Sequence, residues 1–250
     1  MANAGRLYAE KSLHPSNLST ALPDYRDSLV RMMSVMAFTE NAVAVGLKEF
    51  ADKTSGSQKE HVLDAISDET KHGRLVYALL AEIGVNAQSA DSLALSSTRH
   101  ESLRASLDWM KPRKGWEDFV VYSFLLDRAG NYHLGNYLKS SYEPWAEVCA
   151  GIVKEEEAHG EFGIQELKKL AVSNRPLAEK TLAGWYPKIL DFFGRPHSQT
   201  TGKYIYYGLK ERDNEELRVQ FRADTSKLLE ELGLSEPKMQ RTEYPYCPKT

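Results

Sequence analysis

Asp68-Glu69-Thr70-Lys71-His72-Gly73 and Glu155-Glu156-Glu157-Ala158-His159-Gly160 share one local pattern: an acid, then Glu-x-x-His, then Gly. The two copies lie 87 residues apart. A further acid stands 29 residues before the glutamate of each copy, Glu40 before Glu69 and Asp127 before Glu156. The chain therefore carries acid-x28-Glu-x-x-His twice and supplies four carboxylates and two imidazoles. On a helix, residues i and i+3 share a face, so Glu69 with His72, and Glu156 with His159, point the same way. Carboxylates balance the charge of hard divalent cations, and an imidazole on each ion leaves positions open. This is the ligand set of a two-metal site inside a four-helix bundle. Roughly one Glu-x-x-His arises by chance in a chain of this composition, and a lone copy reads as a solvated helix face. Two copies that share an upstream acid, a preceding acid, a following glycine and one offset read as a metal site.

The 29-residue spacing predicts the topology. Ligands at equal height on antiparallel neighbours require a turn midway between them. The midpoints fall in Thr54-Ser55-Gly56-Ser57 and in Ser140-Ser141-Tyr142-Glu143-Pro144, both rich in turn residues. Helices are expected from Pro23 to about Lys53, from about Ser57 to before Gly84, from about Trp116 through Asp127, and from about Pro144 to Val172. Residues 84–115 form a long crossover with short helical pieces near Ala90–Leu95 and Glu101–Met110, broken at Pro112. The result is hairpin, crossover, hairpin: an all-α, ferritin-like four-helix bundle over about residues 24–173. Further helices are expected from Pro176 to near Gly194 and from Asn214 to Leu232, with a loop over Arg195–Gly202. Residues 1–22 read as irregular, and the tail Ser235–Thr250, with Pro237, Pro245 and Pro248, as extended. The whole chain reads as a single domain.

Composition narrows the function classes. With 42% hydrophobic residues the chain buries a substantial core, and a net charge of −3 with interspersed signs argues against nucleic acid binding. Two cysteines, Cys149 and Cys247, cannot build a cysteine-ligated zinc or iron–sulfur site. Cys149, seven residues before Glu156, is expected inside the bundle as a small apolar filler. Met1–Lys11 has no apolar leader core, and the longest apolar stretch, near Leu75–Leu80, is too short to span a bilayer, so a cytoplasmic protein without membrane insertion is expected.

These residues resemble the catalytic oxygenase subunits of bacterial phenylacetyl-CoA epoxidase, in the phenylacetic acid catabolic protein family. That family has a Glu in its first core helix, Asp-Glu-x-x-His-Gly in the second, an Asp in the third and Glu-Glu-x-x-His in the fourth. Glu40, Asp68–Gly73, Asp127 and Glu155–His159 match in turn. Trp185-Tyr186-Pro187, Phe192-Phe193-Gly194, Leu209-Lys210 and Asn214–Phe221 extend the similarity, which covers residues 24 to 237. Ala65 stands where the epoxidase has a lysine. The resemblance implies a di-iron monooxygenase, with O2 as co-substrate and an aromatic or unsaturated acyl-CoA as substrate. A manganese–iron pair is the alternative to two irons. With neither a GxGxxG motif nor an iron–sulfur cysteine set, the electrons must come from a separate NAD(P)H-dependent reductase. A ferritin-like partner subunit or a second copy of the chain is a further expected partner. Two other classes use the same fold: an iron-handling ferroxidase, and a structural subunit of an oxygenase complex.

Several neighbours of the six candidate ligands have expected roles. Asp68 and Glu155 precede the ligand glutamates and are placed to accept the outer N–H of a ligand histidine. Gly130, three residues after Asp127, either opens space beside the metals or permits close packing. His133 lies off the ligand face and reads as a surface or interface histidine. Phe38, Tyr122 and Phe124 either line a pocket or form plain core. Lys71, Arg74, Arg128 and the basic run Lys111, Arg113, Lys114 are candidates to meet phosphates or an acidic partner.

Overall fold

The structure is a computed structural model, and it describes residues 5–96 and 115–238. The expected helix at Glu101–Met110, the Pro112 break, the basic run at 111–114 and the end of the tail lie outside the described residues. Regular structure among the described residues is helical, apart from an isolated parallel bridge between Leu13 and Tyr142. No described helix is long and apolar enough to cross a membrane.

Helix α1 runs Pro23–Ala51 and α2 Gly56–Glu82. Proline at the first helical position loses no hydrogen bond, and Asp24 in that turn favours the positive end of the helix dipole. The buried stripe of α2 is Val62, Glu69, His72, Gly73, Val76, Leu79 and Leu80, a helical period in which an acid and a histidine hold core positions. α3, Ala87–Ser96, packs on α1 and α2. Asn86 Oδ1 caps it by accepting from Ser89 N at 2.9 Å, and Tyr77 OH donates to Asp91.

The third bundle helix is not continuous. α4, Trp116–Tyr122, passes into a π-helical turn at Ser123–Asp127 and then into α5, Arg128–Gly135. α6 is the longest helix, Glu143–Ser173, and α7 follows at Arg175–Phe192, where the Asn174 side chain accepts from Leu177 N. The segment read as a loop, 195–202, turns helical at α8, Gln199–Tyr206. Ser198 explains the difference: its Oγ accepts from Thr201 N at 3.1 Å and its carbonyl from Gly202 N at 2.9 Å, which starts the helix. α9, Asn214–Glu231, begins with a capping box between Asp213 and Glu216. Buried Arg218 on α9 donates to Leu190 O at 3.0 Å and to Gly194 O, satisfying carbonyls at the end of α7.

The helices group into two compact units. The first holds α1, α2, α3, the start of α6 and the irregular N-terminal segment. That segment is tied down by backbone bonds from Lys11 N to Ser140 O and from Leu13 N to Ser141 O, both 2.9 Å, with Leu13 and Leu18 buried. The second holds α4, the π turn, α5, the remainder of α6, α7 and α9. Its core is aromatic: Phe119 and Tyr122 lie near Trp116, Phe162 and Trp185. Trp185 Nε1 donates to buried Asp118 at 2.8 Å.

Candidate metal centre

In the first unit Glu40, from the middle of α1, meets Glu69 and His72 from the buried stripe of α2. One ligand atom from each lies within 4.8 Å of the others. Glu40 is half-buried, Glu69 is buried and the His72 side chain is closed to solvent at 0% exposure. His72 Nδ1 lies 3.8 Å from Glu40 Oε2. In the second unit Asp127, the last residue of the π turn, meets Glu156 and His159 of α6, again within 4.8 Å of one another. Asp127 and Glu156 are buried, while the His159 side chain keeps 21% exposure. His159 Nδ1 lies 3.6 Å from Glu156 Oε2. The six residues thus fall into two groups of three, each with two carboxylates and one imidazole. Asp68 and Glu155, the residues before the two glutamates, are both half-buried.

The donor chemistry fits a divalent cation in each group. Two carboxylates crowded together out of water are costly unless a cation offsets them. The nitrogen–oxygen separations of 3.6 and 3.8 Å exceed hydrogen-bond length, yet both atoms of each pair can lie about 2.1 Å from one ion.

Close helix approaches support each triad. A Cβ on Gly73 would meet Asn41 Oδ1 at 2.8 Å, so α1 and α2 draw together beside His72. A Cβ on Gly163 would meet the backbone of the π turn at 2.5 Å from Phe124 N. Cys149 is fully buried, and burial, with the nearby Glu40 carboxylate, pushes its thiol well above the ordinary range. It stays a protonated apolar filler. Gly130 has nothing within 4 Å of an added Cβ, which favours open space there over close packing. Phe124 and Tyr122 are buried core residues and Phe38 is half-buried. Lys71 and Arg74 are exposed. Arg128 is half-buried with its guanidinium 6.0 Å from the Phe124 ring centre, and burial lowers its pKa.

His133, read from the sequence as a surface or interface histidine, is half-buried. It stacks on Phe193 and meets Phe192 edge-on, both at 5.1 Å between ring centres. The sequence reading also missed the π turn, Gly163 and the Asp118–Trp185 bond. The signal for Gly163 was present: it lies four residues after His159, on the same face of α6.

The sequence profile of the phenylacetic acid catabolic protein family matches residues 16–245. The chain belongs to this family. It is 23% identical over 239 residues to a component of the 1,2-phenylacetyl-CoA epoxidase of Escherichia coli K12, across 93% of this chain and 75% of that one. It is 24% identical over 220 residues to benzoyl-CoA oxygenase component B of Aromatoleum evansii, across 77% of this chain and 46% of that longer protein. Among solved structures, a Synechococcus protein with aldehyde deformylating oxidase activity superposes with a TM-score of 0.63 at 13% identity, covering 86% of this chain and 94% of that one. A Bacillus halodurans protein described as a class I ribonucleotide reductase gives 0.62, also at 13% identity, covering 89% and 85%. Those likenesses establish the all-α, ferritin-like fold. In this member of the phenylacetic acid catabolic protein family, the six candidate ligands all lie inside the matched region.

Proposed function

We propose that this chain is a di-iron oxygenase subunit that inserts one atom of O2 into an aromatic or unsaturated acyl-CoA. The observation that carries the reading is the pair of carboxylate–carboxylate–histidine triads, each with its ligand atoms within 4.8 Å. The 87-residue internal repeat supports reading both triads as metal ligands. The family supports the reaction class, and the names of two relatives, an epoxidase acting on phenylacetyl-CoA and a benzoyl-CoA oxygenase, support the substrate class.

Glu40, Glu69 and His72 would hold one iron, and Asp127, Glu156 and His159 the other. When bound, the irons would supply the activation of O2 that this chemistry requires. The chain contributes the rest. Four carboxylates offset the charge of two divalent ions. Two neutral imidazoles add donors without adding charge, and three ligands per ion leave positions open. Burial of His72 and Glu69 would strengthen the local electrostatic interactions with a bound ion. A separate reductase supplies the electrons, and a partner subunit or second copy completes the assembly.

The test is aerobic turnover of the iron-loaded protein with NAD(P)H, a reductase and phenylacetyl-CoA or benzoyl-CoA under 18O2. One labelled oxygen in the acyl-CoA product is expected. Oxidation and release of iron with no labelled product would replace this reading with iron handling. No iron bound at all would leave a structural subunit.

A further inference from the structure

We infer that Gly163 is a positioning residue for the second triad, because its lack of a side chain allows α6 to lie against the π turn that delivers Asp127. The inference rests on the reading of the triads as metal ligands. Glu156, His159 and Gly163 stand at i, i+3 and i+7 on α6 and form one stripe. Gly163 is buried. A Cβ there would lie 2.5 Å from Phe124 N, 2.7 Å from Phe124 Cα and 2.8 Å from Ser123 C. All three atoms are backbone, and all three belong to the π turn, so no side-chain rotation relieves the clash. Carbon contacts settle at about 3.5–4.0 Å, so any side chain at 163 forces the two backbones apart by about 1 Å.

The consequence for Asp127 follows from helix geometry. A π turn carries an extra residue, and each residue of an α-helix advances the face by about 100°. The turn therefore sets the direction in which Asp127 leaves the helix, and Asp127 is its last residue. Ligand atoms must hold their distances to within about 0.2 Å, so a shift of about 1 Å takes Asp127 out of reach of the ion held by Glu156 and His159. Glu at position 127 would restore the reach, because one more methylene adds about 1.5 Å of bond. With Gly163 in place, that same Glu would overshoot.

Cobalt(II) binding, followed by equilibrium dialysis and by the visible d–d bands, tests this without turnover. Wild type should bind two cobalt ions per chain. Gly163→Ala should keep the ion at Glu40, Glu69 and His72 and bind the other at least tenfold more weakly, with its d–d bands lost. Gly163→Ala combined with Asp127→Glu should recover the second ion. Gly160→Ala is the neighbouring control: its Cβ would meet only Arg128 Cγ, at an ordinary 3.7 Å, and it should keep both ions. If Gly163→Ala does not fold, Asp127→Glu alone decides, since overshoot should cost it the second ion. Two tight ions with native bands in Gly163→Ala, or in Asp127→Glu, overturn the inference. A wild type that binds no cobalt overturns it together with the metal reading.

Discussion

The two triads use nearly the same residues and are built differently. Glu40, Glu69 and His72 come from two uninterrupted helices joined by a short turn at 52–55, and His72 is sealed from solvent. Asp127, Glu156 and His159 come from a helix broken by a π turn and from the long α6, joined through residues 136–142, and His159 remains partly exposed. The ligand grammar repeats at 87 residues, but the backbone beneath it does not. A shorter carboxylate, Asp rather than Glu, accompanies the π turn. Spacing along the sequence therefore selects which side chains meet, while local backbone decides how closely each group is held and how far it is closed.

The largest expected effects separate the triads by metal count. His72→Ala and His159→Ala should each lose one of two metal ions and all oxygenase turnover, while circular dichroism stays helical. The apo proteins should differ: His72→Ala leaves a closed cavity and should cost about 2 kcal/mol or more, whereas partly exposed His159→Ala should cost about 1 kcal/mol or less. Denaturant titration of the metal-free variants measures this, and equal losses would remove the asymmetry.

The glycines sharpen the same contrast. Gly163→Ala meets backbone and should destabilise by about 1–3 kcal/mol. Gly73→Ala meets the flexible Asn41 side chain and should cost less than about 1 kcal/mol, or about 2–4 °C in Tm. A greater loss for Gly73→Ala would mean that the α1–α2 pair, and not the π turn, is the less forgiving contact.

The chain ends also differ. Backbone bonds hold the N-terminal segment, but side chains hold the segment after α9: Glu236 accepts from Tyr186, Arg222 and Ser226. Burial pushes the Glu236 pKa up, but those hydrogen bonds outweigh it and leave the pKa below its ordinary value. A depressed carboxylate contributes stability above its unfolded pKa, about 4.3, and loses it as pH falls through the lower folded value. Glu236→Gln should therefore lower Tm by about 2–4 °C at neutral pH, with the gap closing in acid below about pH 4. A gap that widens in acid would reverse the sign. The smallest effect is expected at Glu157, exposed on α6 between two candidate ligands: Glu157→Ala should keep both metals and stay within about 0.5 kcal/mol of wild type.

Much of this was legible in the sequence where a helical stripe and its breakers coincide. Pro23, the Thr54–Ser57 turn, Gly84 and the Ser140–Pro144 turn bound α1, α2 and α6 to within a few residues of the expected ends. The ferritin-like fold was legible from the repeat. Three features were not. Ser-Phe-Leu-Leu-Asp suits an α-helix as well as a π turn, and the contact bearing on it is a glycine nearly forty residues away. α8 spans only Gln199–Tyr206, too short for an apolar stripe to stand out, and starts at the Ser198 cap. His133 takes its surroundings from Phe192 and Phe193, some sixty residues on, which no local pattern reveals.

Anaerobic Fe(II) titration, counted by elemental analysis and Mössbauer spectroscopy, tests the central claim most directly when wild type is compared with Glu69→Ala and Glu156→Ala. The account predicts two ions in wild type, one in each variant, and distinct Mössbauer parameters for the ion that survives in each. Wild-type protein that binds no stoichiometric iron, or variants that keep two ions, would contradict it.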